Sequence, residues 1–347
     1  MIGNLFFLLS RDHPTLPGAE VEAILQAEGL GFEILGSRPG LVRLRADLAA
    51  LRAVGARSLM CNLCGLELSH CNELGEAAIL RACRDADPSR YLGPGDRFAV
   101  RVRKLFGAGG HLRSPDLERS LGALIASGSG WAKVDLEGPD KLFLGIISQD
   151  GFTLGLAMAE GGAKSSSARA PRKRPFFHPS SMPPRLARCM VNLSRAKAGE
   201  AFLDPFCGAG GILLEAASIG CETIGSDIDP KMIRGARANL EHFGLPFIGL
   251  VRSDAALLPI HGVRAIATDP PYGRRASSLR RRLEGILAGF IPRARDSLEP
   301  GGHLCMAHPS SIDAASMGVE AGFDPIESHE LFVHKGLTRI LSVFRRR

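Results

Sequence analysis

Residues 267–273, Ala-Thr-Asp-Pro-Pro-Tyr-Gly, end an apolar run with an acid, two prolines and an aromatic. Each proline ring fixes its own φ, so the turn is stiff and presents its side chains outward, a property a packed core has no use for. Asp269, Pro270 and Tyr272 are therefore the first candidates for chemistry. Three further acids stand upstream in comparable settings. Asp204 precedes a glycine-rich turn, Cys-Gly-Ala-Gly-Gly, where the missing side chains of Gly208 and Gly210 let a ligand press against the backbone. Asp227 follows 23 residues later, a spacing suited to gripping ribose hydroxyls. Asp254 lies in Arg-Ser-Asp-Ala-Ala-Leu-Leu-Pro. Such a set can hold a nucleoside. The turn lacks the third glycine of the dinucleotide fingerprint, and no Gly-Lys-Ser/Thr phosphate loop accompanies it. The pattern favours a nucleoside cofactor without a pyrophosphate, such as S-adenosylmethionine, over NAD and ATP.

These residues need elements to position them. In the second half of the chain a helix is expected from about Pro184 to Lys197, then the strand EAFLDPF, the glycine-rich turn, the helix ILLEAASIG and the strand ETIGSD. A helix begins at Asp229 and Pro230, a good N-cap and first-turn pair, and is followed by strands FIGLVRS and VRAIATD. Strand and helix alternating in this way build a parallel doubly wound sheet, whose ligands sit outside the carboxyl ends of the strands. All four acids fall at such ends.

The first half reads as α+β. Strands are expected at NLFFLLS, GFEILGS and GLVRLRA, and helices at LPGAEVEAILQAEG and DLAALRAVGA. Beyond a cysteine-bearing stretch come a helix near Leu74–Arg84 and the strand DRFAVRVRKL. There Phe98, Val100 and Val102 alternate with Arg97, Arg101 and Arg103 to give a half-buried strand with a basic face. A helix at DLERSLGALIAS and strands near WAKVDLEG and KLFLGIISQDGFTLGLAM complete this half. Cys61, Cys64, Cys71 and Cys83 contain one Cys-x-x-Cys pair, but their remaining spacings match no common zinc site, so no metal is expected.

The chain has 347 residues, 45% of them hydrophobic, enough for two or three domains with real cores. No apolar run approaches the roughly 18 residues a bilayer span needs, and the N-terminus has no signal-peptide pattern, so a cytoplasmic, non-membrane protein is expected. The net charge of +7 is unevenly spread. Nine basic residues and no acid fall between Ala163 and Gly199, among them Arg172, Lys173 and Arg174. Arg274 and Arg275 directly follow the Asp-Pro-Pro-Tyr turn. Clusters of this kind suit a polyanionic partner, because each phosphate neutralised releases counterions. Solvated faces and a basic linker are the plainer reading of each cluster taken alone.

In this order, DPFCGAGG, IGSDIDP, RSDAALLP and TDPPYG resemble the motifs of the class I amino-methyltransferases, over roughly residues 175–347. With FFHPSSMPPRLARCMVNL upstream and an N-terminal half of this size, the chain is similar to the archaeal tRNA (guanine(10)-N2)-methyltransferases and to the catalytic subunit of their eukaryotic counterpart. The resemblance implies a ferredoxin-like unit at 1–58, a THUMP RNA-binding domain at 59–160, a basic linker at 161–179 and a Rossmann-like, mainly parallel methyltransferase domain at 180–347. It also implies S-adenosylmethionine as cofactor, tRNA as substrate, and a small activating protein subunit as a further partner to consider.

By the same resemblance Asp227 holds the ribose of the cofactor, Asp254 the adenine amine, Asp204 with Gly208 and Gly210 the methionine side, and Ile228 is a further cofactor-binding residue. Phe177 and His178 belong to the segment that resembles the family's cofactor-side wall. The Asp-Pro-Pro-Tyr turn marks enzymes that methylate an exocyclic amine on a base. Such an amine is a poor nucleophile, since its lone pair is delocalised into the ring. The Asp269 carboxylate and the Pro270 carbonyl can accept both amine hydrogens as positive charge develops, while Tyr272 offers a face for the base to stack on. Rival readings are a related enzyme for another tRNA guanine, a DNA adenine-N6 methyltransferase, and a catalytically silent RNA-binding subunit.

Overall fold

The computed structural model describes residues 1–162, 166–271, 277–334 and 337–347, with all side chains there except those of 277–282, 333–334 and 337. It divides into two compact units. The first comprises Met1–Pro14, Leu30–Ala56 and Cys61–Gly161, and the second Thr15–Gly29, Arg57–Met60 and Gly162–Arg347. Helix α1 (Leu16–Ala27) therefore interrupts the first unit in sequence but belongs by its contacts to the second.

The first unit is built on one eight-stranded sheet. Its strands are β1 (Ile2–Leu9), β2 (Phe32–Arg38), β3 (Leu41–Asp47), β4 (Cys61–Cys71), β5 (Arg97–Lys104), β6 (Lys133–Val134), β7 (Lys141–Ser148) and β8 (Gly151–Glu160). They run in the order β2-β3-β1-β4-β8-β7-β5-β6, with helices α2 (Ala49–Arg57), α3 (Glu76–Asp85) and α4 (Ser114–Ser129). Strands from either side of residue 58 share this sheet, since β1 pairs with both β3 and β4. The cysteine-bearing stretch, which has no clear period, is the long strand β4, with Cys61 and Cys64 buried. Phe98, Val100 and Val102 of β5 point into a core where Phe98 meets Phe143 edge to face at 6.0 Å. Gly155 of β8 has to be glycine: a Cβ there would lie 2.2 Å from the Phe6 ring.

The second unit carries a seven-stranded sheet. Its strands are β9 (Ala201–Asp204), β10 (Glu222–Asp227), β11 (Gly249–Arg252), β12 (Val263–Thr268), β13 (Leu298–Pro309), β14 (Phe323–His334) and β15 (Leu337–Arg346). The order is β11-β10-β9-β12-β13-β15-β14, parallel from β11 to β13, with β15 antiparallel between β13 and β14. Alternate residues of each strand face opposite layers. Phe202, Ala265, Cys305 and Leu341 pack under α1, α5 (Pro184–Leu193), α6 (Gly211–Ala217) and α7 (Pro230–His242). Leu203, Ile266, Leu304 and Phe344 pack under α8 (Ser277–Ser297) and α9 (Ala314–Glu320). The sheet is thus covered on both faces, as a parallel sheet requires.

Helix α1 is fastened to this unit by polar groups as well as apolar ones. The buried Glu20 carboxylate accepts from Ser58 Oγ at 2.5 Å and from Asn192 Nδ2 at 2.8 Å, and burial raises its pKa. Nearby Glu215, fully buried on α6, accepts two hydrogen bonds from Arg169 at 2.8 and 2.9 Å and one from Arg188 at 2.8 Å. Among the described residues no helix is long and apolar enough to cross a membrane.

Candidate active site

At the carboxyl edge of the second sheet lies a cavity of about 680 Å³ lined by Asp204, Asp227, Asp254 and Asp269. One acid follows or ends each of four neighbouring strands, β9, β10, β11 and β12, and topology alone brings them together.

The glycine-rich turn joins β9 to α6. Gly208 and Gly210 adopt φ of +49° and +79°, which favours glycine at both positions. Gly208 lines the cavity. Gly210 does not, and a Cβ on it would crowd Ala236 of α7 at 3.1 Å. The Gly208 N–H donates to Asp227 Oδ2 at 3.0 Å, and the Asp229 N–H donates to Asp227 Oδ1 at 2.9 Å. These bonds fix the Asp227 carboxylate, while each oxygen keeps a second lone pair for hydroxyl donors. Beside it, Ile228 is largely exposed and lines the cavity. Asp254 accepts from the Ala256 N–H at 2.9 Å, so its second oxygen is available at the cavity wall.

Asp204 is different, being 1% exposed. It accepts from Thr268 Oγ1 at 2.8 Å and from the Phe206 N–H at 3.2 Å. Burial dominates these bonds, and with the charges of Asp227 and Asp269 it pushes the carboxyl up to about 7.

The segment before α5 forms another wall. His178 lines the cavity, its Nδ1 2.7 Å from Ser180 Oγ. Phe177, expected there too, is not among the lining residues and is half exposed. Phe176 turns inward instead, against Gly235, where a Cβ would collide with its ring at 2.1 Å. Asn239 of α7 clamps this segment, accepting from the Phe176 N–H at 2.9 Å and donating to the carbonyls of Phe176 and Ala209 at 3.0 and 2.9 Å.

Asp269, Pro270 and Pro271 form the wall after β12. Arg339 of β15 reaches the same wall, with Nη1 3.5 Å from Asp269 Oδ2. Tyr272, Arg274 and Arg275 lie outside the described residues. Of the other basic residues, Arg103, Arg172 and Lys173 are exposed, and Arg101 donates to the Leu136 carbonyl at 2.8 Å. Arg174 departs from expectation. It is 4% exposed, its Nε donates to the Arg169 carbonyl at 2.9 Å, and its terminal nitrogens lie beside Gly211, which removes it from any phosphate-binding surface. Among the described residues no group of three or more His, Cys, Asp or Glu side chains is placed to hold a metal ion.

The model of the RMKL-like methyltransferase domain family matches residues 171–340. Over 351 aligned residues, covering 99% of both chains, the sequence is 38% identical to a tRNA (guanine(10)-N2)-dimethyltransferase of Methanothermobacter thermautotrophicus. The chain belongs to this tRNA methyltransferase family. It is also 30% identical to the tRNA (guanine(6)-N2)-methyltransferase of Thermus thermophilus, over 86% of this chain and 88% of that one. The crystal structure of TrmN from Thermus thermophilus aligns with a TM-score of 0.55 at 25% identity, covering 99% of this chain and all of that one.

Within the family frame, the described residues that sequence reasoning missed include Asn239, Ser180, Met182, Ile286 and Arg339. The last four line the cavity and Asn239 braces it. Of these only Asn239 carried a sequence signal, as a polar residue on the apolar face of an amphipathic helix.

Proposed function

We propose that this protein is an S-adenosylmethionine-dependent tRNA methyltransferase acting on the exocyclic N2 of guanine, at guanosine 10. The observation that carries the reading is the convergence of the Asp269-Pro270-Pro271 turn with Asp204, Asp227 and Asp254 on one cavity. Full-length similarity to a tRNA (guanine(10)-N2)-dimethyltransferase supports the substrate.

The donor set fits the cofactor. Asp227 is held where it can accept from both ribose hydroxyls, Ile228 offers an apolar face for the adenine, and the free oxygen of Asp254 suits an exocyclic amine. Gly208 leaves the backbone open beside Asp204, whose carboxylate suits a cationic group. When bound, the cofactor supplies an electrophilic methyl on a sulfonium. The protein does the rest by positioning and electrostatics. Asp269 and the Pro270 carbonyl accept the two N2 hydrogens, making the nitrogen more tetrahedral so that its lone pair leaves the ring conjugation, and stabilising the charge that grows on the amine. Two consecutive prolines hold both acceptors without reorganisation. The first unit, with Arg103 exposed on β5, is assigned to tRNA docking as the ferredoxin-like and THUMP portions, and the exposed Arg172 and Lys173 of the second unit to phosphate contacts.

Mass spectrometry of nucleosides and of ribonuclease-cut fragments from unmodified tRNA treated with purified protein and cofactor tests the reading. N2-methylated guanosine at position 10 is expected. Methylated adenosine, or no product with or without an added activating subunit, would overturn it.

A further inference from the structure

The Asp269 carboxylate has a cationic neighbour that amine chemistry alone does not call for. Arg339 sits on β15, two strands away from β12 across β13, at the register where it opposes Pro309 and Leu331. Its Nη1 lies 3.5 Å from Asp269 Oδ2, the separation of a charge pair and longer than a tight bidentate fork. Both side chains are partly shielded, at 23% and 19% exposure, and both line the cavity. The wall that receives the target base therefore presents, side by side, a fixed acceptor and a fixed donor.

That order has a base to match. The Watson–Crick edge of guanine offers N2–H, N1–H and the O6 acceptor in a row, while adenine offers an amine donor next to the N1 acceptor. We propose that Arg339 is the guanine-selecting residue: with N2 held by Pro270 and Asp269, the second Asp269 oxygen accepts from N1–H and Arg339 donates to O6. Adenine in the same place would set its N1 lone pair against a carboxylate and offer the guanidinium no acceptor on the base. A base edge whose donors and acceptors do not match the groups of the wall is what the site rejects. The inference rests on the guanine N2 reading above and extends it from reaction to base choice.

The test is a two-by-two comparison of single-turnover rates at saturating cofactor. Wild type and Arg339→Met are each given tRNA carrying either guanine or 2-aminopurine at the target position. 2-Aminopurine keeps the N2 amine but lacks O6 and N1–H. Wild type should favour guanine, and Arg339→Met should shrink that preference by at least about tenfold, with the loss falling on guanine. An unchanged ratio overturns the proposal, and so does equal slowing by Arg339→Met of guanine and of 6-thioguanine, which keeps N1–H and replaces O6 with a weak acceptor: that equality is the result if Arg339 merely braces Asp269. Arg339→Lys keeps a donor and a charge but no planar fork, so its ratio should fall between the two. Calorimetric cofactor affinity equal to wild type shows that each variant is folded. Wild type that leaves guanine tRNA unmodified would instead refute the functional reading itself.

Discussion

Asp204 makes cofactor binding depend on pH in a direction the geometry dictates. Its carboxyl is pushed up to about 7 by burial and by the neighbouring charges of Asp227 and Asp269, so below that pH the empty site holds it neutral. A cationic group beside it stabilises the ionised form alone. Affinity should therefore rise with pH up to about 7 and level off above, the loss lying on the acid side. If the cation binds only the ionised form, the change from pH 5 to pH 8 reaches about 90-fold at the limit, roughly 2.7 kcal/mol. Asp204→Asn keeps the shape and an acceptor for Thr268 but cannot ionise, so its affinity should resemble that of wild type at low pH and stay flat. Isothermal calorimetry in buffers of different ionisation enthalpy reads both the affinity and the proton released on binding near pH 6. A wild-type affinity that is level between pH 5 and 8, with no proton released, would refute the assignment of Asp204 to a cationic part of the cofactor.

Two further outcomes test the frame around the site. Glu215→Gln leaves the buried Arg188 and the partly buried Arg169 without their shared carboxylate, so the second unit should lose roughly 3–5 kcal/mol. Hydrogen exchange at α6 amides reads this; the sole tryptophan, Trp131, lies in the first unit and would miss it, and unchanged protection would contradict the result. Replacing Arg172 and Lys173 together with Ala should lower the salt slope of tRNA binding by up to about 1.8 and leave cofactor affinity alone. An unaltered slope would return this segment to the solvent.

The parallel half of the catalytic sheet was legible because β9 and β10 end on an acid and β12 is followed by one, each after a short apolar run, and Asp229-Pro230 announces its helix. The cavity-lining acids followed from that rhythm. What lay beyond β12 was not legible. Strands β14 and β15 are antiparallel, with β15 inserted between β13 and β14, so Arg339 reaches Asp269 through sheet order, which local periodicity does not encode. The placement of α1 with the catalytic unit was invisible for a related reason: Glu20 reads as a solvated acid on an amphipathic helix, and only its bonds to Ser58 and Asn192 explain its burial. Arg174 shows the converse, since a basic run cannot reveal which member turns inward. Two adjacent aromatics carry no parity outside a regular element, so which of Phe176 and Phe177 turns inward is not legible, and the space that Gly235 leaves on α7 takes Phe176.

The most direct test of the account is the single-turnover rate of methyl transfer to tRNA by Asp269→Ala, at saturating tRNA and cofactor. Removing an acceptor whose stabilisation grows with charge on the amine should slow transfer by at least about a hundredfold, while both affinities change little. Asp269→Asn, which keeps a neutral carbonyl, should fall between Ala and wild type. A near-wild-type rate for Asp269→Ala would contradict the role given to the turn and the chemistry built on it.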